Sequence, residues 1–131
     1  MEILPAKKIK IIDIKGRGRG VVATKNIARG EIIEFCPIVF ISEKEASFFE
    51  KENTVLKFYW LLQPETKKSC LMLGYGSLYN HSKNPNAEAD YDIKKSKDYL
   101  FFRALKKIKA GEEIVFDYQF DDDKEEFLKL D

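Results

Sequence analysis

The densest polar cluster in the chain is Asn80-His81-Ser82-Lys83-Asn84-Pro85-Asn86, which carries the only histidine. Asparagine side chains both donate and accept, and the Asn and His backbones can read an amide, a carboxylate or an adenine edge if the loop lies under a pocket. The same residues equally suit a solvated loop whose asparagines cap a turn. One histidine with no nearby cysteine or carboxylate pattern supplies too few ligands for a metal, so none is expected. A second segment, Gly16-Arg17-Gly18-Arg19-Gly20, has the glycines that let backbone amides approach a ligand. A dinucleotide fingerprint would need a helix opening on the last of them, whereas VVAT and a turn at Gly30 follow. The segment therefore reads as a hairpin bend that could still hold a small ligand through its backbone. A third, Gly111-Glu112-Glu113-Ile114-Val115-Phe116-Asp117-Tyr118, puts a ring and a phenol two apart, on one face if this is a strand. Taken alone, it reads as a core strand whose tyrosine tip finds a hydrogen-bond partner.

The elements that must position these residues read as mainly β. IKIIDI over 9–14, VVAT after the glycines and EIIEF before residue 36 are strand-like, with turns between. Ile27-Ala28-Arg29-Gly30-Glu31-Ile32 and Ile108-Lys109-Ala110-Gly111-Glu112-Glu113-Ile114 share a layout, read as common turn chemistry because the flanks show no wider period. Ser42-Glu43-Lys44-Glu45 has the form of a capping box and predicts a helix over 43–53. VLKFYWLL over 55–62 suits a strand or a buried helix, since a run this short does not resolve its period. Strands are expected at 70–73, near 99–105 and at 113–118, a polar loop at 82–86, and a helical tail over 122–131.

With 131 residues, 44% of them hydrophobic, the chain reads as one domain over 1–131 with a core of its own. Its 23 Lys plus Arg balance 22 Asp plus Glu, so no global field singles out nucleic acid or an anionic membrane, and neither is expected as a direct partner. Cys36 and Cys70 are 34 positions apart, which is neither a zinc spacing nor a disulfide framework, and they read as buried reduced thiols. With no stretch long and apolar enough for a membrane span, the expected location is cytoplasmic, or a host nucleus if the source is a virus or bacterial symbiont.

In this order the three segments resemble the SET-domain protein lysine methyltransferases over about residues 7–121. Gly-Arg-Gly-Arg-Gly-Val at 16–21 resembles the glycine motif, Asn80-His81-Ser82 with Pro85-Asn86 the Asn-His-Ser-x-x-Pro-Asn signature, and Gly111 through Tyr118 the Gly-Glu-Glu-Leu-x-x-Asp-Tyr signature. The resemblance implies a β-clip-like fold of several small sheets with a pseudoknot and a few short helices, in which the Asn80 and Tyr118 segments are threaded together. It implies S-adenosylmethionine on one face and a lysine channel from the other. By position, Arg17, Gly18 and Arg19 would contact the cofactor's methionine end, Asn80 and His81 its amino group and adenine, and Tyr118 would stand at the methyl-transfer point, touching the cofactor as well. Phe116 and Tyr75 would line the lysine channel, and phenylalanine at 116 goes in this family with room for di- or trimethyl products.

The sequence departs from the larger members in lacking a cysteine cluster after the Asp-Tyr signature, so the tail from Gln119, a second subunit or the substrate would have to close the channel. A homodimer is one of these ways of closing it. Arg17 stands where lysine is common, which retains the charge. The partner is a protein with a target lysine, and Asp90, Asp92, Glu125 and the run at 121–123 suit a basic, histone-like tail. Two other readings remain: a catalytically silent SET-like binding module, and an unrelated β-rich interaction domain.

Overall fold

The computed structural model describes residues 2–62, 68–90 and 98–118. The predicted tail helix over 122–131 lies outside them. β1 (Ile9–Ile14) and β2 (Gly18–Ala23) form an antiparallel hairpin in register from Ile9↔Ala23 to Ile14↔Gly18. Its bend is closed by the Arg17 N–H donating to the Ile14 carbonyl at 3.0 Å. β2 also pairs antiparallel with β9 (Glu113–Phe116), and β9 takes the two-residue β6 (Asn80–His81) as a parallel neighbour, giving a sheet of order β1-β2-β9-β6. The parallel pairing Asn80↔Val115, His81↔Phe116 sets the histidine segment directly beside the strand that leads to Tyr118.

The second sheet has the order β4-β5-β3-β8-β7, from β3 (Ile32–Phe40), β4 (Trp60–Leu62), β5 (Ser69–Met72), β7 (Ala87–Asp90) and β8 (Tyr99–Ala104). β3 runs well past the predicted EIIEF and through Pro37, a residue that cannot donate to a ladder. Pro37 sits where β3 changes partner, its residues up to 37 pairing with β8 and Ile38 to Phe40 with β5, so the missing donor falls at a handover. Between β3 and β4 the capping box forms. Ser42 Oγ accepts from the Glu45 N–H and Glu45 Oε1 from the Ser42 N–H, both at 3.0 Å, starting α1 (Glu43–Lys51). Asn53 in the left-handed region, φ 56°, stops the chain from continuing as helix, so α1 ends before the predicted residue 53. The ambiguous 55–62 run divides: a 3₁₀ turn at Val55–Phe58 and then β4.

The two similar corners are equivalent in three dimensions. In each, a glycine with positive φ (83° at Gly30, 92° at Gly111) is followed by a glutamate whose carboxylate accepts from the backbone three residues earlier, Ala28 and Lys109, both at 3.1 Å. The N–H of Gly30 donates to Ala104 and that of Gly111 to Ala23, both at 2.8 Å. The corners lie against each other through the antiparallel bridge Ile27↔Ile108. Their equivalence reaches back to Ala23 and Ala104, in keeping with shared turn chemistry.

The core joins both sheets: Val21, Ile27, Phe102, Ile108 and Ile114 are fully buried around Tyr79, whose ring stacks on Phe102 at 4.0 Å. Cys36 and Cys70 are buried free thiols within it. Burial pushes the Cys70 thiol up to about 11; Cys36 is pushed above the usual thiol range by burial and then by the adjacent Glu34 carboxylate.

Candidate active site

A cleft of about 760 Å³ opens where the glycine bend, the Asn80 segment and the end of β9 converge. Gly16 to Arg19 form one wall, Tyr79 to Lys83 another, and Tyr118, Phe58 and Tyr59 add aromatic surface. Three segments far apart in sequence thus share one cavity because β9 is the common neighbour of β2 and β6.

Glu113, the first residue of β9, organises the polar side of the cleft. One oxygen accepts from Arg17 Nη1 at 3.1 Å and the other from Asn80 Nδ2 at 2.7 Å. Arg17 Nη2 donates to the His81 carbonyl at 2.7 Å, and the second Asn80 amide hydrogen goes to the Arg19 carbonyl at 3.0 Å. Gly20 has no room for more: a Cβ there would lie 2.7 Å from Glu113 Oε2 and 2.9 Å from Asn80 Nδ2, and against the Ile14 side chain. The last glycine of the motif is therefore closely approached by three side chains that a Cβ would displace. Asn86 holds the loop to β9 as a strand would, its Nδ2 donating to the Glu113 carbonyl at 2.8 Å and its Oδ1 accepting from the Val115 N–H at 2.9 Å.

Tyr118 is fixed at both ends. Its N–H donates to His81 Nδ1 at 3.0 Å, and its hydroxyl donates to the Tyr79 carbonyl. Burial holds the phenol well above its ordinary range, with Arg17 opposing and Tyr59 and Glu113 adding to the shift. Tyr79 is itself anchored: its hydroxyl donates to Glu34 Oε1 at 2.8 Å, and Glu34 Oε2 accepts from the Tyr75 N–H at 2.9 Å. A chain of contacts therefore runs from the buried Glu34 to the Tyr118 hydroxyl.

Of the residues singled out in the sequence, Arg17, Gly18, Arg19, Asn80, His81 and Tyr118 line the cleft. Phe116 and Tyr75, expected along a lysine channel entering from the other face, lie outside this cleft. Phe116 is buried in the core, packed edge-on against Phe102 at 5.0 Å and 4.6 Å from the Tyr118 ring; Tyr75 is half-buried against the same core. β9 ends at Phe116, short of the expected 118, so the ladder does not carry Tyr118, although its ring still adjoins that of Phe116 as expected. The His81 ring captures the Tyr118 amide instead. Sequence reading missed Glu113, Tyr79 and Glu34 as supports. Glu113 carried a signal, since it is the second glutamate after Gly111 where the equivalent corner has an isoleucine, Ile32. Glu34 carried none, because a charged residue in a strand reads as solvent-facing.

Known proteins share this architecture. The SET domain family model matches residues 18–119. In Schizosaccharomyces pombe, a protein named histone-lysine N-methyltransferase, H3 lysine-37 specific, is 33% identical over 112 residues, covering 84% of this chain and 72% of its own length. N-lysine methyltransferase KMT5A of Xenopus tropicalis is 30% identical over 120 residues, and the matched part is 84% of this chain but only 35% of that relative. A solved structure from Plasmodium falciparum aligns with a TM-score of 0.70 at 34% identity, covering 88% of this chain and 96% of its own. The Neurospora SET domain protein DIM-5 aligns with a TM-score of 0.65 at 24% identity over 86% of this chain and 52% of its own, a likeness in fold.

Proposed function

This chain belongs to the SET domain family, and we propose that it is a protein-lysine methyltransferase that modifies a basic, histone-type substrate at the Tyr118 end of the cleft. The observation that carries the reading is the doubly fixed Tyr118, held by His81 and Tyr79 at the meeting point of all three motifs.

SET methyltransferases use S-adenosylmethionine, and the cleft has the donors and acceptors that such a molecule needs. Arg17 keeps guanidinium hydrogens beyond the two spent on Glu113 and His81, which suit a carboxylate, with the Gly18 and Arg19 backbone alongside. Both Asn80 amide hydrogens are committed, so its Oδ1 is presented as acceptor for an ammonium group, and the His81 segment offers backbone to a purine edge. Gly16 and Gly18 line the cleft with open space where a side chain would stand. When bound, the cofactor's sulfonium supplies an electrophilic methyl to which a neutral lysine amine forms its N–C bond as the S–C bond breaks and the thioether leaves.

The protein's part is alignment and desolvation, since this displacement needs a held geometry more than an acid or base. Tyr118 stays a phenol at neutral pH and is no base. A lysine with an ordinary pKa near about 10.4 gives its proton to water before entering, and apolar surroundings favour the neutral amine. The carbonyl of Tyr79 and the phenol oxygen of Tyr118 form an oxygen-rich rim that suits weak C–H contacts from a polarised methyl. Phe116 brings a ring without a hydroxyl beside Tyr118, which supports di- or trimethyl products. The name of the Schizosaccharomyces pombe relative, which specifies a histone H3 lysine, supports a histone-type tail as substrate. Asp90, one of the acids expected to attract it, is instead engaged by Arg103 at 3.2 Å within the second sheet, and Asp92, Glu125 and 121–123 lie outside the described residues.

Mass spectrometry of histones and a basic peptide library after incubation with S-adenosylmethionine tests this. Products gained in steps of one methyl, and lost in Tyr118→Phe, are expected. Cofactor binding without transfer to any lysine would leave a silent binding module, and no cofactor binding would overturn the site assignment.

A further inference from the structure

The near-zero total charge conceals a segregated one. At the bridge Ile27↔Ile108 both isoleucines are buried, and the residues around them on both corners are exposed. Lys107 and Lys109 are there, Lys25, Arg29 and Lys106 extend the same two corners, and all five are exposed. Lys8 joins them, its amine 3.4 Å from the Asn26 carbonyl and 2.8 Å from Glu31. The face thus holds six cations against two carboxylates, Glu31 and Glu112, while the whole chain has 23 against 22, so the remainder is net acidic. Both carboxylates are occupied within the face, each accepting a backbone N–H of its own turn. Residues 24–31 and 105–112 line no part of the cleft.

We propose that this outer face of the paired corners docks onto the phosphate backbone of double-stranded DNA, a function separate from methyl transfer and independent of it. Two chain segments 81 positions apart are folded together to build it, which a solvated charge run within one segment would not require. The face also selects among polyanions. Neither corner contains an aromatic residue, so it offers no stacking platform for the bases of a single strand, and Leu105 is its one exposed large apolar side chain, too little to anchor in lipid. Lysine and arginine points without base-reading partners give sequence-independent phosphate binding.

Fluorescence anisotropy of a short mixed-sequence duplex titrated with the full chain tests this. With about four phosphates neutralised, affinity falls about a hundredfold between about 50 and 200 mM salt. The variant Lys25→Gln/Lys106→Gln/Lys107→Gln/Lys109→Gln binds at least about tenfold more weakly at the lower salt with a flatter salt dependence. It melts as the wild type does and still binds S-adenosylmethionine, whereas replacing the same four lysines by arginine retains DNA binding. Absence of DNA binding by the wild type at low salt, an unchanged affinity and slope in the glutamine variant, or equal binding to phosphatidylserine vesicles would each overturn the proposal. Loss of methyl transfer with DNA binding intact would instead count against the proposed activity alone.

Discussion

Substituting Glu113 by glutamine tests whether one carboxylate sets up the polar wall of the cleft. The carboxylate accepts from Arg17 at 3.1 Å and from Asn80 at 2.7 Å, and a glutamine keeps the shape but has only one acceptor oxygen. Its NH₂ group would face a second donor, either the guanidinium or the asparagine amide. Hydrogen bonds to a charged group are worth about 1.5–3 kcal/mol, but the Arg17 side chain is 43% exposed, so its share is close to that of a surface pair, below about 1 kcal/mol. Because glutamine keeps one of the two contacts, the net loss is about 1–2 kcal/mol of organisation. Because Arg17 and Asn80 are proposed to meet the carboxylate and ammonium of the cofactor, that loss is expected in affinity for S-adenosylmethionine, about five- to thirtyfold by calorimetry. The melting temperature falls by only a few degrees, roughly 3–6 °C for a domain of this size. Glu113→Asp, which keeps the charge but cannot bridge both partners, falls between. Wild-type affinity in Glu113→Gln would refute the assigned role, and so would a loss of affinity fully explained by unfolding at the assay temperature.

Four further outcomes follow from the same geometry. Tyr118→Phe removes the hydroxyl that donates to the Tyr79 carbonyl, and single-turnover methyl transfer is expected to fall at least about a hundredfold, about 2.7 kcal/mol of barrier, with cofactor affinity within a few fold. Gly20→Ala pushes a methyl against the Ile14, Glu113 and Asn80 side chains, which must shift, so cofactor affinity is expected to fall about as in Glu113→Gln and the fold to be destabilised by about 1–3 kcal/mol in urea titrations. Glu34→Ala leaves the buried Tyr79 hydroxyl without its acceptor and costs about 1–3 kcal/mol, read from the same titrations; an unchanged midpoint would show the contact to be dispensable. Cys70, Cys36, Tyr79 and Tyr118 all have folded-state pKa values raised by burial, so above the unfolded thiol value the unfolded chain binds fewer protons than the native one. Stability is then expected to hold up to about pH 8.5 and to decline through pH 11 and beyond, and a flat urea midpoint across that range would contradict it.

What was legible in the sequence depended on whether a residue's partner lay nearby. Ser42 and Glu45 satisfy each other within four residues, so the helix start could be read from spacing alone. The glycine hairpin and the Gly30 and Gly111 turns were legible for the same reason. Pro37 hid the length of β3, because the rule against proline in a central strand fails only where the strand changes partner, and that exchange is a property of β5 and β8. β7 was missed because Ala87 to Asp90 has weak strand propensity and is held by Arg103 of its neighbour. The cleft residues were found through the resemblance of three motifs. Glu34 and Tyr79, which support Tyr118 from beneath, have partners 41 and 45 positions away or act through a backbone carbonyl, and nothing local marks them.

The paired corners explain why the cleft forms where it does. The first corner carries the chain from β2 in one sheet to β3 in the other; the second carries it from β8 back to β9, and the two crossings lie antiparallel through Ile27↔Ile108. Two equivalent crossings would give a symmetric pair of half-sheets with no preferred site. The equivalence breaks at the strand after each corner. β3 continues through Pro37 into a ladder with β5, antiparallel and filled by the core, whereas β9 ends after four residues with β6 parallel at its edge. A two-residue parallel edge leaves backbone and side-chain groups of Asn80 and His81 uncommitted to a longer ladder, and Arg17, Glu113 and Tyr118 take them up. Shortness at that edge creates the polar cleft, so replacing the Asn86 side-chain clamp, which does the work of a strand there, should open the cleft without unfolding the second sheet. Hydrogen exchange of Asn86→Ala is expected to show lost protection at Val115 and Phe116 while Phe101 and Phe102 remain protected, and uniform loss in both sheets would refute this division.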